Sequence, residues 1–150
     1  NVRRVIRALE IAGNSGVSST QPQTKVAPPF NTLLIGLTTE RAELYRRIDQ
    51  RVDSMIERGL VDEVKKLLEM GYSMDLPSMS GIGYKQVGSF LKGDLDMAEA
   101  TRQIKTETHR LVRRQYNWFR LKDERIKWFD IQDAKAESEI EALVAGFLIP

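Results

Sequence analysis

Eight consecutive positions, from Arg113 to Arg120, hold three arginines, three aromatic residues and two side-chain amides. Guanidinium groups bind phosphate oxygens through charge-assisted hydrogen bonds, and side-chain amides can both donate and accept hydrogen bonds beside them. The wider segment from Arg102 to Lys127 is strongly basic as well, although the net charge of the chain is only +2. The distribution of charge therefore says more than the total, and it predicts a surface that binds a phosphate backbone.

Two other stretches place cations beside backbone or amide donors in the same way. Arg3 to Arg7 contains three arginines in a helical pattern, and Ser80 to Lys85 carries two glycines ahead of a helix, where backbone amides can approach an anion. Each has a plainer interpretation, namely a solvated basic face for the first and an ordinary helix cap for the second. Because three separate stretches converge on the same chemistry, we predict an anion-binding surface formed by Arg3, Arg4, Val5, Ile6, Arg7, Ser80, Gly81, Ile82, Gly83, Tyr84, Lys85, Arg113, Arg114, Gln115, Tyr116, Asn117, Trp118, Phe119 and Arg120.

Several other chemistries have no counterpart in these residues. The chain has no cysteine and a single histidine, His109, which excludes a disulfide framework, a thiolate metal site and a multi-histidine zinc cluster. A metal, if bound, would be a hard ion on oxygen ligands. The sequence contains no Gly-x-x-x-x-Gly-Lys-Ser/Thr loop and no Ser-His-Asp spacing, so no complete active site is visible. His109 lies among basic residues and is predicted to contact a phosphate or a water rather than to act as a general base.

The bulk composition is that of a globular intracellular protein. Hydrophobic residues make up 41% of the 150 positions and charged residues 29%. No apolar run approaches the roughly 20 residues of a membrane-spanning helix, and the start of the chain does not resemble a signal peptide. We therefore expect a cytoplasmic protein without a membrane partner.

The element that must position the first stretch is a long helix, predicted from about Met97 to Leu121. Five residues along this helix are spaced 4, 3, 4 and 3 positions apart, so they form one stripe, which we expect to face inward. Apolar and polar residues alternate along the stripe, which suggests that it lines a cavity. Trp118 and Phe119 have apolar neighbours, so we favour core anchors over base-stacking platforms for both rings. The predicted inward stripe consists of Ile104, Thr108, Leu111, Gln115 and Trp118.

The remaining helices are amphipathic and end at glycines. Gly59 stands where a left-handed helix cap is expected, after the first of them. The chain also opens in a helical pattern, with Val5 and Leu9 predicted to point inward. Further helices are predicted at 40–58, 61–69, 85–91 and 137–148, with a loop at 13–29.

Two strands are predicted, at 32–37 and 126–131. The first is a nearly continuous apolar run, which is typical of a strand buried on both faces of a parallel sheet. A two-stranded sheet is marginal by itself. Because the chain also begins in a helical pattern without a methionine, we expect 1–150 to be a single region of a longer polypeptide that supplies the neighbouring strands.

The order and spacing of several segments resemble the C-terminal half of bacterial tRNA dimethylallyltransferases. The likeness covers nearly the whole chain and is carried by NVRRVIRALE at 1–10, RAELYRRIDQRVDSMIERGLVDEVKKLL at 41–68, GIGYKQ at 81–86, RRQYNWFR at 113–120 and KWFD at 127–130.

The resemblance implies a fold and a partner. The fold would be α/β and helix-rich, the C-terminal part of a parallel-sheet domain like that of P-loop nucleoside kinases, with the phosphate-loop half absent from this chain. The reaction would transfer a dimethylallyl group from dimethylallyl diphosphate to N6 of the adenine 3′ of the tRNA anticodon, with magnesium assisting and bound mainly by the other half. The protein would be a monomer. The three stretches above would contact the anticodon stem-loop, and no catalytic residue would lie in these 150 positions, so the fragment alone would be inactive.

The implied mechanism is base flipping, because a stacked adenine cannot present its amine to an allylic carbon. Gln115 and Asn117 would hydrogen-bond the flipped base or its neighbours, and Arg7 would reach either a tRNA phosphate or the diphosphate leaving group. Two alternatives remain open at this point. One is an isopentenyltransferase acting on free adenylate, which would not need so many RNA-facing cations. The other is a non-catalytic helical RNA- or DNA-binding module.

Overall fold

The structure is a computed structural model, and it describes residues 2, 5, 6, 9, 10, 13 and 29–149. The chain divides into two compact units, Asn1–Thr32 and Leu33–Pro150. The described residues from Val2 to Gly13 are helical, as the pattern predicts. Val5 and Leu9 are 58% and 67% exposed, so the prediction that they point inward is wrong. The described part of this unit has no second layer that could cover an apolar stripe.

The second unit contains two strands in a parallel sheet, the predicted kind of sheet, and they pair with each other. Strand β1 is Leu34–Thr38 and strand β2 is Ile126–Asp130, with Gly36 beside Trp128 in the register. Parallel strands require a long crossover, and four α-helices fill it here. Leu34 and Leu37 are 46% and 60% exposed within this chain, so the described residues do not supply the neighbours that would bury both faces, and that burial stays a prediction. These residues form only two strands, which leaves one side of β1 without a neighbour.

The helices follow the predicted order with small shifts at their ends. The second unit has the helices α1 (Arg41–Glu57), α2 (Leu60–Glu69), α3 (Tyr84–Leu91), α4 (Met97–Trp118) and α5 (Ala136–Leu148). Helix α4 stops at Trp118 instead of Leu121, and Gly59 has φ +95°, the left-handed conformation expected between two helices. A short 3-10 helix, Pro77–Ser80, precedes α3.

The hydrophobic core lies between helices α1 to α4. Ile104 on α4 is 1% exposed, and Val64 on α2 and Val87 on α3 are fully buried. Helix α4 packs against both α1 and α3. The other buried members of this cluster are Val52, Leu60 and Met79.

The inward stripe predicted along α4 holds only over the first half of the helix. Ile104 is buried and Thr108 is half-buried, with its hydroxyl donating to the Ile104 carbonyl at 2.8 Å. Leu111 is 42% exposed and Gln115 is also exposed. Both polar members of the stripe nevertheless line clefts, as predicted: Thr108 lines one of about 270 Å³ and Gln115 lines one of about 340 Å³.

Trp118 and Phe119 are not core anchors. Their exposed fractions are 84% and 57%, which makes the favoured interpretation of both rings wrong. The half-buried positions in the second half of α4 are Val112 and Tyr116, and the Tyr116 hydroxyl lies 3.1 Å from Oγ1 of Thr38 on β1. In this half of the helix the inward-facing residues differ from those of the predicted stripe, because the helix here faces the sheet and not the helical core.

We expect Gly36→Ala to destabilise the sheet. A Cβ at this position would lie 2.5 Å from the Trp128 ring, so the ring would have to move, at a cost of about 1–3 kcal/mol for an overpacked site. Gly146→Ala is the matched control, because a Cβ there meets nothing within 4 Å and alanine favours the helix. Urea unfolding measures both. Equal midpoints for Gly36→Ala and the parent chain would contradict the packing described here.

Candidate nucleic-acid interface

The segment from Ser80 to Lys85 is built as a helix cap. Gly83 has φ +101°, and its amide donates to Oε1 of Gln86 at 2.9 Å in a buried hydrogen bond. The Lys85 amide donates to the Gly81 carbonyl at 3.1 Å. Because these amides have partners, the predicted cradle of backbone donors is not formed by them. The segment instead presents the exposed Lys85 ammonium group, which has no ion pair among the described residues.

Tyr84 is anchored to the neighbouring helix. Its hydroxyl donates to a carboxylate oxygen of Glu63 on α2. This hydrogen bond, with smaller contributions from burial and from the Glu63 charge, raises the pKa of Tyr84 above its ordinary value. The hydroxyl proton therefore stays in the hydrogen bond to Glu63, and this contact holds the start of α3 against α2.

A groove separates this segment from α4. The groove has a volume of about 500 Å³, and residues of both the Ser80–Lys85 segment and α4 line it. The fold therefore brings this segment and the basic helix together. Sequence reasoning missed several of its lining residues. Gln103 and Thr106 were not predicted, and the available signal was their 3-4 spacing with Arg110, a cation of the predicted basic segment, on one helical face. The groove is lined by Ser80, Ile82, Lys85, Gln86, Ser89, Arg102, Gln103, Thr106, Glu107 and Arg110.

Cations in the first half of α4 are neutralised by carboxylates. Arg102 pairs with Glu99 at 2.6 Å and Arg110 pairs with Glu107, both within the helix. Lys105 reaches across to Asp53 on α1 at 2.7 Å. Hydrogen bonds from Arg102 and then Gln103 lower the pKa of Glu99. Exposed pairs of this kind add little stability, but they cancel charge that a ligand would otherwise meet.

His109 belongs to the same set of contacts. Its Nε2 lies 3.0 Å from Oδ1 of Asp49, and its ring stacks on Tyr45 with centroids 4.1 Å apart and planes inclined by 10°. These α1 side chains contact the Nε2 edge and one face of the imidazole. The contact of His109 with a phosphate or a water stays a prediction.

The cations in the second half of α4, unlike those in the first half, are not paired with carboxylates of the described residues. Arg113 and Arg114 are exposed and form no ion pair with any described residue. Gln115, Asn117 and Trp118 beside them are exposed as well. This end of the helix presents unneutralised guanidinium groups, free amides and an open aromatic ring on one short segment.

Arg120 follows just beyond the helix end and is also exposed. It contributes to lowering the pKa of Asp123 to about 2, although the main cause is the hydrogen bond from Arg125. Of the stretch 113–120, Tyr116 alone is half-buried, through its contact with β1.

The third predicted stretch belongs to the first unit. Val5 and Ile6 are exposed helical residues there, at 58% and 50%. Arg3, Arg4 and Arg7 lie outside the described residues. The stretches Ser80–Lys85 and Arg113–Arg120 both lie in the second unit. That all three stretches form one surface stays a prediction.

The described part of the chain has neither a metal-binding cluster nor a membrane-spanning helix. No group of three or more histidine, cysteine, aspartate or glutamate side chains there is arranged to hold a metal ion. Within the same residues, none of the helices is both long enough and apolar enough to cross a lipid bilayer.

The chain matches a family model described as IPP transferase over residues 1–122. It is 47% identical over 148 residues to the tRNA dimethylallyltransferase of Dehalococcoides mccartyi, covering 99% of this chain and 45% of that protein. It is also 49% identical over 131 residues to the enzyme of the same name from Thermomicrobium roseum, covering 87% of this chain and 40% of the relative. The chain thus spans less than half the length of these relatives.

Two solved structures share the fold. The full-length tRNA isopentenylpyrophosphate transferase of Bacillus halodurans superposes with a TM-score of 0.72 at 42% identity, covering 97% of this chain and 45% of that one. The tRNA delta(2)-isopentenylpyrophosphate transferase of Staphylococcus epidermidis gives a TM-score of 0.72 at 31% identity, with 98% and 48% coverage.

Proposed function

The chain belongs to the IPP transferase family, and on that premise we propose that it carries tRNA-binding elements of a tRNA dimethylallyltransferase. The proposed reaction moves a dimethylallyl group from dimethylallyl diphosphate to N6 of the adenine 3′ of the anticodon. In it, a bond forms between N6 and the allylic carbon, the bond from that carbon to oxygen breaks, diphosphate leaves, and N6 gives up a proton. No described residue of this chain is assigned to the bond-making step.

The observation that carries the proposal is the contrast between the two halves of α4. Cations from Arg102 to Arg110 are paired with carboxylates, whereas Arg113 and Arg114 have none among the described residues. An unpaired guanidinium can exchange its counterions for a phosphate, and release of those counterions favours binding to a nucleic acid. Arg113 and Arg114 are therefore proposed to bind phosphates of the anticodon stem-loop.

The exposed side chains beside these arginines suit an unstacked base. Trp118 offers a ring face that is free in this structure, and a base stacked on an aromatic ring gains about 1–3 kcal/mol. That gain is comparable to the few kcal/mol needed to unstack the adenine from the loop. Gln115 and Asn117 can form hydrogen bonds with base edges from the same segment. Positioning of a flipped adenine is the role we assign to this end of the helix.

Magnesium is part of the proposal only for the complete protein. The described residues offer no cluster of carboxylate or histidine ligands that fits the ion. Magnesium favours oxygen ligands together with substrate phosphates. Its role would be to neutralise the diphosphate, and we assign no residue of this chain to it.

A transfer assay tests the proposed function. We expect the full-length gene product to transfer label from dimethylallyl diphosphate to an anticodon stem-loop RNA in the presence of magnesium, with the product nucleoside identified by mass spectrometry. The isolated 150-residue chain should show no turnover. A stem-loop with guanine in place of the target adenine is the matched control, because its 6-position carries an oxygen and not an amine.

Two outcomes of that assay would reject the proposal. Transfer to free adenylate with no transfer to RNA would indicate an adenylate isopentenyltransferase. Binding of the stem-loop without transfer to either acceptor would indicate a non-catalytic RNA-binding module.

A further inference from the structure

A second polar cleft lies at the carboxyl end of strand β1, away from the groove beside α3. It encloses about 470 Å³ and is formed where β1 leads into α1 and where the chain leaves α4. In parallel α/β sheets, ligands bind outside the carboxyl ends of the strands. The cleft is lined by Thr38, Thr39, Arg41, Tyr116, Arg120, Leu121 and Lys122.

The charge of this cleft is entirely positive. Arg41, Arg120 and Lys122 are exposed, no carboxylate lines the cleft, and none of the three forms an ion pair with a described residue. Two carboxylates flank the cleft without lining it. Glu40 accepts the Glu43 amide at 3.0 Å, and Asp123 is paired with Arg125 at 2.7 Å, with a smaller electrostatic attraction to Arg120.

Arg41 adds a cation to the amino end of a helix whose cap is the side chain of Glu40. It is the first residue of α1, and the amino end of a helix carries the positive end of the helix dipole. The same dipole and the cation both favour a negatively charged ligand at this position.

An independent observation is the hydroxyl of Thr39. This residue lines the cleft and is 8% exposed, and its Oγ1 has no hydrogen-bond partner among the described residues. Buried polar groups nearly always have partners, so an orphaned hydroxyl beside three cations that form no ion pair with a described residue indicates a ligand that completes the bonding. The adjacent hydroxyl of Thr38 is already engaged with Tyr116 at 3.1 Å.

We infer that this cleft binds a phosphate group through Arg41, Arg120 and Lys122, with Thr39 as a hydroxyl donor. The phosphate oxyanion has two possible sources, the tRNA backbone and the diphosphate of the prenyl donor, and both fit the same cations. The link of this site to prenyl transfer rests on the proposed function, whereas the binding of a phosphate anion does not.

The test measures two affinities of the full-length gene product, one for inorganic diphosphate by calorimetry and one for the anticodon stem-loop by fluorescence anisotropy. Arg41→Gln should weaken one of them by about tenfold, the loss expected for a charge-assisted hydrogen bond. A loss for diphosphate alone identifies the donor as the source. A loss for the stem-loop, with a salt slope reduced by about one, identifies the tRNA backbone.

Arg51→Gln is the matched control, since it removes the same charge from the same helix at an exposed position that does not line the cleft. Thr39→Val keeps the shape and the net charge but removes the hydroxyl, and it should weaken the same ligand without lowering stability. The inference is overturned if Arg41→Gln and Arg51→Gln give affinities within twofold of each other for both probes, or if Thr39→Val leaves both affinities unchanged.

These results are separable from the proposed function. Prenyl transfer to tRNA combined with no effect of Arg41→Gln or Thr39→Val would reject the anion site alone. Loss of diphosphate binding in these variants of a protein that never prenylates RNA would support the anion site and reject the proposed function.

Discussion

Replacing Arg113 and Arg114 together with alanine is expected to weaken binding of the anticodon stem-loop by about 10- to 100-fold at moderate salt, since each guanidinium loses about one charge-assisted contact. The slope of log affinity against log salt should fall by roughly 1.4–1.8, because about 0.7–0.9 of a counterion is released per phosphate contact. Affinity for dimethylallyl diphosphate should stay nearly unchanged. Fluorescence anisotropy across a salt series measures the first two quantities, and calorimetry the third.

Arg46 and Arg47 provide the control for this experiment. They are also adjacent arginines on a helix, so their replacement removes the same net charge, but both are paired with Glu43 at 2.7 and 2.9 Å. Their hydrogen bonds lower the pKa of Glu43 to about 2. We expect the Arg46→Ala, Arg47→Ala variant to bind RNA nearly as well as the parent protein. Equal losses in the two double variants would mean that only total charge matters, and equal loss of RNA and diphosphate would refute the assignment to RNA.

Helix positions could be predicted from the sequence because the signals that set them are local. Gly59 and Gly71 both have positive φ and stand just after helices, at 95° and 90°, where the amino acid pattern predicts an end. The parallel pairing of β1 and β2 was also predictable, since an apolar run separated from the next strand by helices favours a crossover.

Whether each cation is paired with a carboxylate could not be predicted from the sequence, because ion pairs depend on contacts between distant positions. Lys105 and Asp53 are 52 residues apart, and only the packing of α1 against α4 brings them together. Arg113 has the same charge and a similar helical context, yet the described residues offer it no carboxylate. The sequence identified a basic helix, and the fold determines which part of that helix can bind a phosphate.

The prediction that the whole stripe along α4 is buried was wrong for a related reason. Periodicity shows which residues share a face, but it does not show where the neighbouring helices stop. Ile104 lies between α1 and α3, whereas Trp118 extends past them and is 84% exposed. The same lack of long-range information hid Thr39, which the structure places in a cationic cleft.

Two residues of that stripe should therefore respond very differently to truncation. Ile104→Ala removes a side chain that is 1% exposed, and deletion of a buried aliphatic side chain with cavity formation costs about 2–5 kcal/mol. Leu111→Ala removes a side chain that is 42% exposed, so the loss should stay below about 1 kcal/mol. Both changes are made on α4, and both replace a large aliphatic residue with a good helix former.

Chemical denaturation of the two variants and the parent protein measures this difference directly. A lower urea midpoint for Ile104→Ala with an unchanged slope would reflect lost packing in a core that still unfolds as one unit. If Leu111→Ala is destabilised as strongly as Ile104→Ala, the inward face of α4 continues past Thr108 and the described exposure is incorrect. Nearly full stability of Leu111→Ala would instead mean that the second half of the helix contributes little to the core, which leaves its surface free for ligand binding.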